Sequence, residues 1–86
     1  MFYTYVLRSK KDRRLYTGAT NDLRKRFSQH NEGKNVSTKG RVPFRLVYYE
    51  ACLDKYDAID RERYLKSGMG KRYIKNRLKR FLSLTG

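Results

Sequence analysis

Apolar positions along this chain switch between strand-like runs and helical spacing, and that switching predicts the elements. Phe2 to Leu7 is aromatic and β-branched, which suits a strand. The polar stretch Ser9 to Arg13 reads as a turn, and Arg14-Leu15-Tyr16-Thr17 as a second strand ended by Gly18. Two strands so joined predict an antiparallel hairpin. Thr20-Asn21-Asp22 supplies a helix N-cap, with Asp22 well placed against the helix dipole. That helix is expected to reach about Asn31, with Gly33 as its stop. Residues 33–42 form a loop rich in Gly, Lys, Ser and Thr, and Pro43 precedes a third strand from Phe44 to Cys52. Asp54 or Lys55 opens a second helix reaching Lys66 or Ser67, and Ser67-Gly68-Met69-Gly70 breaks it. A final basic helix is predicted from Lys71 to Leu82, with the apolar stripe Ile74, Leu78, Phe81 and Leu82. The order β-β-α-β-α-α predicts an α+β fold: a small, mostly antiparallel three-stranded sheet flanked by helices, in one domain over residues 1–86.

Two of these helices carry polar residues where core residues belong. In the first, Leu23 and Phe27 lie four apart and define the buried stripe, which Arg26 and His30 continue. In the second, Ala58, Ile59 and Leu65 define the stripe, and Glu62 falls within it. Burying charge without partners is costly. The three residues can pair with one another, snorkel at the edge of the core, or line a polar cleft shared by the two helices. Tyrosines add to the pattern. Tyr3, Tyr5 and Leu7 share one face of the first strand, and Tyr16 lies two residues before Gly18, where a glycine permits close approach by a ligand or another segment.

Composition narrows the class of partner. Hydrophobic residues are 38% of the chain and charged residues 35%, a balance that borders on disorder, but 14% aromatic residues in a patterned chain indicate a folded domain. Lys and Arg number 22 against 8 acidic residues, a net charge of +14 that repels itself unless a polyanion offsets it. Nucleic acid is the expected partner, with a membrane surface or a ribosome as the other basic-protein readings. The one cysteine, Cys52, excludes an internal disulfide and is expected as a small core residue. No apolar run is long enough to span a bilayer, and the N-terminus lacks the basic lead and cleavage site of a signal peptide. A reducing cytoplasm fits these features.

Phosphodiester cleavage needs a base for the attacking water, charge neutralisation at phosphorus and stabilisation of the leaving oxygen. A carboxylate holding a divalent cation, a guanidinium fork and a Tyr or His near the water meet those needs. Glu62, Arg26, Tyr5, Tyr16 and His30 supply those residue types. Other chemistries fit worse: one His and one Cys cannot build a structural zinc site, and no Gly-rich phosphate loop or paired glycosidase carboxylates occur.

Thr4-Tyr5-Val6 followed by Tyr16-Thr17-Gly18 resembles the two-part signature of the GIY-YIG nuclease superfamily. The run from Tyr16 through Phe27 with His30 resembles its strand and first helix, and Ala58-Ile59-Asp60-Arg61-Glu62 with Leu65-Lys66 its catalytic-glutamate helix. The likeness covers nearly the whole chain and is strongest to the small standalone bacterial YhbQ-like members, with the N-terminal nuclease domain of the UvrC repair protein and homing-endonuclease domains as more distant relatives. It implies a metal-dependent endonuclease leaving a 5′-phosphate and a 3′-hydroxyl, with DNA as the expected substrate and DNA repair or recombination as the role. Tyr5 would be general base or water-positioning group, and Tyr16 would contact the phosphate or its water network. Arg26 would stabilise the scissile phosphate, His30 would assist positioning or proton transfer, and Glu62 would ligate a single Mg²⁺ or Mn²⁺. The first triplet departs from Gly-Ile-Tyr, with Tyr3 and Thr4 before Tyr5, and Thr17 stands where Ile or Val is usual; neither change removes a reactive group. Asn76 is the nearest counterpart of a late Asn found near the metal in some relatives, but on a helical wheel it points away from the stripe of Ile74 and Leu78.

Basic residues beyond the site supply a candidate track for the nucleic-acid backbone. Lys34, Lys39, Arg41 and Arg45 lie in or near the loop, and Arg72, Lys75, Lys79 and Arg80 on the last helix. Two other readings stand beside the enzyme: a binding module for DNA, RNA or ribosomes that cuts poorly, and a nuclease that needs a protein partner for targeting.

Overall fold

A computed structural model describes residues 1–85; Gly86, the last residue of the predicted domain, lies outside the described residues. The strands are β1 (Phe2–Ser9), β2 (Leu15–Thr20) and β3 (Phe44–Cys52). The helices are α1 (Leu23–Asn31), α2 (Lys55–Lys66), α3 (Gly68–Arg77) and α4 (Lys79–Thr85), with one short 3₁₀ turn at Lys39–Arg41. The sheet runs β2-β1-β3 with both pairs antiparallel, so the expected α+β class holds. Central position explains why β1 is buried from Thr4 to Ser9 on both its faces.

Alternation along β1 divides the core in two. Tyr5 and Leu7 join Phe44 on one face, packed by Leu23 and Phe27 of α1 and by Tyr16. Val6 joins Leu65 and Ile74 on the other, so α2 and α3 cover that face. A register shift between Val6 and Leu7 leaves Val47 as an extra residue on β3. On the second face Thr4 Oγ1 donates to the Ala58 carbonyl at 2.9 Å, fixing α2 over β1. Glu50 of β3 accepts from Arg61 of α2 at 3.0 Å and from the Tyr48 hydroxyl at 3.0 Å. The Arg61 guanidinium also lies over the rings of Tyr64 and Tyr73, at 5.2 and 4.8 Å.

Two helix starts follow the sequence reading. Asp22 caps α1 by accepting from Lys25 N, and Asp54 caps α2 by accepting from Tyr56 N. Gly33, with φ of 74°, ends the first helical segment in the left-handed region.

Four expectations need correction. β2 does not end at Gly18 but runs on to Thr20, because Tyr5 of β1, paired with Gly18, fills the space a side chain there would take. Ser67-Gly68-Met69-Gly70 is not a loop: Ser67 alone breaks the helix and its hydroxyl caps α3 at Gly70 N, 3.2 Å away. The last helix is two helices divided at Leu78, so the order is β-β-α-β-α-α-α. After that division Phe81 lies against the guanidiniums of Arg8 and Arg45, 5.8 and 5.1 Å from its ring centre. Cys52 is half-buried rather than in the core, because it closes an edge strand, and its thiol donates to the Asp54 carbonyl.

Candidate active site

Both helices that carry misplaced polar residues reach the β2 edge of the sheet, from opposite faces. There they enclose a cleft of about 540 Å³ with Arg26 and Gln29 of α1 on one side and Ala58, Ile59 and Glu62 of α2 on the other. Ala19 and Thr20, at the end of β2, lie between them. Of the three alternatives open from sequence, Arg26 and Glu62 therefore share a cleft. Glu62 is not paired with Arg26: its carboxylate takes Lys66, one helical turn on, at 2.7 Å.

Behind the cleft lies a buried hydrogen-bonded chain. The Tyr5 hydroxyl and His30 Nε2 are 2.9 Å apart, and His30 Nδ1 and Thr38 Oγ1 are 2.8 Å apart. The Thr38 hydroxyl donates to the Asn35 carbonyl. With its proton on Nδ1, His30 donates to Thr38 Oγ1 and leaves Nε2 to accept from the Tyr5 hydroxyl, whose oxygen faces the Arg26 guanidinium. Tyr5, His30 and Thr38 are each at most 1% exposed, yet among the described residues no buried side-chain nitrogen or oxygen lacks a partner. The Tyr16 ring packs against the imidazole in a T-shaped arrangement, with ring centres 5.1 Å apart.

Burial and charge set the protonation of this chain. Burial pushes the Tyr5 phenol above its ordinary pKa, and the neighbouring Arg26 guanidinium pulls the other way. Tyr16 and Glu62 also lie near enough to act on it. Burial, and then Arg26, push His30 below its ordinary pKa. His30 is therefore neutral at pH 7, as its bond to Tyr5 requires. A pH dependence of stability follows. The folded state binds this proton less readily than the unfolded chain, so stability is full above about pH 6.5 and falls as the pH drops below that value. Asp12, held down to about 2 by hydrogen bonds from Arg41 and the Arg14 amide, adds its loss only below the ordinary carboxylate range, so the two windows separate. Denaturation midpoints measured from pH 8 to 5 should decline from about pH 6.5; a flat or rising profile would contradict a neutral buried His30.

Thr38 is the residue that sequence reasoning undervalued. Lying in a loop rich in Gly, Lys, Ser and Thr, it is nevertheless 0% exposed and bonds the imidazole. No local signal marked it, because the contact depends on how the loop closes. That closure is built from several bonds: Asn31 exchanges two hydrogen bonds with the backbone of Phe44, Ser9 donates to the Arg41 carbonyl, and Arg41 pairs with Asp12 at 2.7 Å. Lys66 had a legible signal, its i,i+4 spacing from Glu62, which went unused.

The other candidate residues are spread over the surface. Tyr16 lies in a neighbouring groove with Lys75 rather than in the cleft. Lys34 pairs with Glu32, Arg41 with Asp12, and Arg45 stacks on Phe81. Lys39 is exposed in the short 3₁₀ turn. Arg72 and Asn76 line a shallow depression with Met69 and Tyr73, away from the Arg26–Glu62 cleft, which none of these candidates lines. Lys79 and Arg80 are exposed on α4.

The donor set suits a hard divalent cation held in part by substrate. Among the described residues no three His, Cys, Asp or Glu side chains converge into a cage. Two carboxylates line the cleft, Asp22, which accepts from the Lys25 amide as the cap of α1, and Glu62; one or two such groups are what Mg²⁺ or Mn²⁺ takes when waters and phosphate oxygens complete its shell. Glu62 fits that role.

Residues 1–79 match the family described as the GIY-YIG catalytic domain. A UPF0213 protein of Clostridium perfringens is 48% identical over 67 residues, covering 77% of this chain and 71% of its own. UPF0213 proteins of Oceanobacillus iheyensis and Streptococcus pyogenes are 40% and 45% identical over 65 residues, each covering 74% of this chain and 74% and 70% of their own. No solved structure gives a significant match.

Proposed function

The chain belongs to the GIY-YIG catalytic-domain family, and from that premise we propose that it is an endonuclease, dependent on one divalent metal ion, that hydrolyses phosphodiester bonds in DNA. The observation that carries this reading is the junction of two assemblies. A Tyr5–His30–Thr38 hydrogen-bonded chain ends beside a cleft lined by the Arg26 guanidinium and the Glu62 carboxylate, with Asp22, the cap of α1, at its rim.

Hydrolysis begins with removal of a proton from water. The raised pKa of Tyr5 argues against a standing phenolate. Tyr5 serves instead as a relay: its oxygen takes the water's proton while its own passes to Nε2 of neutral His30. The depressed pKa of His30 keeps Nε2 open at neutral pH and makes the imidazolium short-lived, since Nδ1–H already donates to Thr38. The water oxygen bonds to phosphorus and the bond to the 3′ oxygen breaks; that oxygen takes a proton from solvent, giving a 5′-phosphate and a 3′-hydroxyl, and His30 returns its proton to solvent through Tyr5. Arg26 offers two parallel N–H donors to the non-bridging oxygens, whose charge grows as the nucleophile approaches. Glu62 would hold Mg²⁺ or Mn²⁺, which supplies further charge neutralisation at the phosphate and the leaving oxygen. Tyr16 orders water or phosphate on the far side of His30.

The test is a panel of end-labelled single-stranded, duplex and branched DNA, with RNA equivalents, incubated with Mg²⁺, with Mn²⁺ and with EDTA. Cleavage of DNA in the metal lanes alone, with 5′-phosphate ends that ligase rejoins, is expected. Cleavage that persists in EDTA would refute the metal requirement, and cutting confined to RNA would refute the substrate. The family likeness also fits a role in DNA repair or recombination and a cytoplasmic site. Among the described residues no helix is long and apolar enough to cross a membrane.

A further inference from the structure

Beside the cleft, past the start of β2, lies a second groove of about 540 Å³ bounded by α3 and α4. We infer that it holds the phosphodiester backbone of the nucleic acid running on from the cut. This rests on the nuclease reading for what is cut, and adds where the flanking strand lies.

Three observations point to that occupant. The first is charge. Arg14, Lys66, Lys71 and Lys75 line the groove, and no carboxylate does. Among the described residues the side chains of Arg14, Lys71 and Lys75 enter no ion pair, whereas Arg41, Arg61 and Lys34 are each matched by an acid. Unmatched cations packed side by side repel one another until a polyanion arrives. The second is the floor. Leu15, Leu65, Ile74 and Leu82 line the same groove, with Leu65 and Ile74 buried at its base. A strand meets both demands at once, with phosphates at the rim and sugar faces on the apolar floor; a free phosphate would cover only the rim. The third is continuity. Lys66 lines the groove while its ammonium sits on Glu62 of the cleft at 2.7 Å and 5.9 Å from the centre of the Tyr16 ring. A strand with its scissile phosphate at Arg26 and Glu62 therefore passes Lys66 on its way out, and Lys66 can exchange the carboxylate for a phosphate.

This path differs from the track over the loop and the last helix expected from sequence. Of that set only Lys75 lies in the groove.

Fluorescence anisotropy with labelled single-stranded and duplex DNA, in EDTA so that nothing is cut, tests the assignment. The variants are Lys71→Ala/Lys75→Ala and Arg14→Ala, and the control Lys11→Ala/Arg77→Ala removes the same charge as the double variant from exposed positions outside the groove. Thermal midpoints establish that each is folded. The groove double variant is expected to bind about tenfold more weakly near 0.15 M salt, with the slope of log affinity against log salt reduced by about 1.4 to 1.8, the counterions of two phosphates. Arg14→Ala should show about half that slope change, and the control should bind within about twofold of wild type. The inference is overturned if the groove variants match the control. It is equally overturned if they lose affinity for an acidic peptide while keeping it for DNA, because the groove would then serve a protein. Loss of DNA binding in the groove variants, from a wild type that never cuts with metal, would sink the nuclease reading and leave the groove standing.

Discussion

Tyr5→Phe should slow cleavage by about 10²- to 10⁴-fold, the range for losing a proton-transfer group. The substitution removes one oxygen and keeps the ring that packs with Leu7 and Phe44. Without that oxygen the attacking water has no path to His30. The imidazole is fully buried, and among the described residues its Nε2 is bonded to the Tyr5 hydroxyl alone. Stability should fall too, by about 1–3 kcal/mol, because Nε2 becomes a buried acceptor without a donor. A domain of this size, stable by about 5–15 kcal/mol, remains folded after that loss. Rate and thermal midpoint measured on the same preparation separate the two effects. If the variant cuts at the wild-type rate, some other group takes the proton and the relay is wrong.

Gly70→Ala is the largest expected effect on stability. A methyl group built on Gly70 meets the backbone where α2 ends, 2.5 Å from the Leu65 Cα and closer still to the Tyr64 carbonyl oxygen. Backbone cannot rotate aside as a side chain does, so α3 must shift away from α2 and draw Ile74 off Val6 and Leu65. The cost should reach about 3 kcal/mol or more, the upper range for overpacking, and lower the melting midpoint by more than about 10 °C. Gly68, two residues earlier in the same helix, is the internal control: nothing lies within 4 Å of its added methyl group. Gly68→Ala should be neutral or stabilise by up to about 1 kcal/mol through helix propensity. Equal midpoints for the two variants would mean that α2 and α3 are not in this close contact.

What could be read in the sequence was set locally. The bounds of β3 and the starts of α1 and α2 followed from Pro43, Asp22 and Asp54, residues that act on backbone within three positions of themselves. Arg26 and Glu62 were visible as polar breaks in apolar stripes, because helical period alone says which face turns inward. What stayed hidden depended on distant partners. Gly18 looked like a strand terminus until Tyr5 was seen to occupy its side-chain space. Thr38 looked like one hydroxyl among several in a polar loop until the loop folded over His30. The division at Leu78 carries neither Gly nor Pro, and apolar spacing passes through it unbroken. The pairing of Glu62 with Lys66 is legible from their i,i+4 spacing. Cys52 has the composition of a core residue, and only its place at the end of an edge strand takes it out.

The most direct measurement sets wild type beside Glu62→Ala on the same labelled DNA panel, with Mg²⁺ or Mn²⁺ for cutting and EDTA for binding. Glu62 is half-buried at the cleft wall, so its removal should leave the fold and the cationic surfaces intact. The expected result is metal-dependent cleavage by wild type, none by the variant, and DNA affinity within a few-fold for both. Binding that is equal and salt-sensitive, with no cutting by either protein in any metal, would contradict the enzyme and leave a nucleic-acid-binding domain built on a nuclease fold.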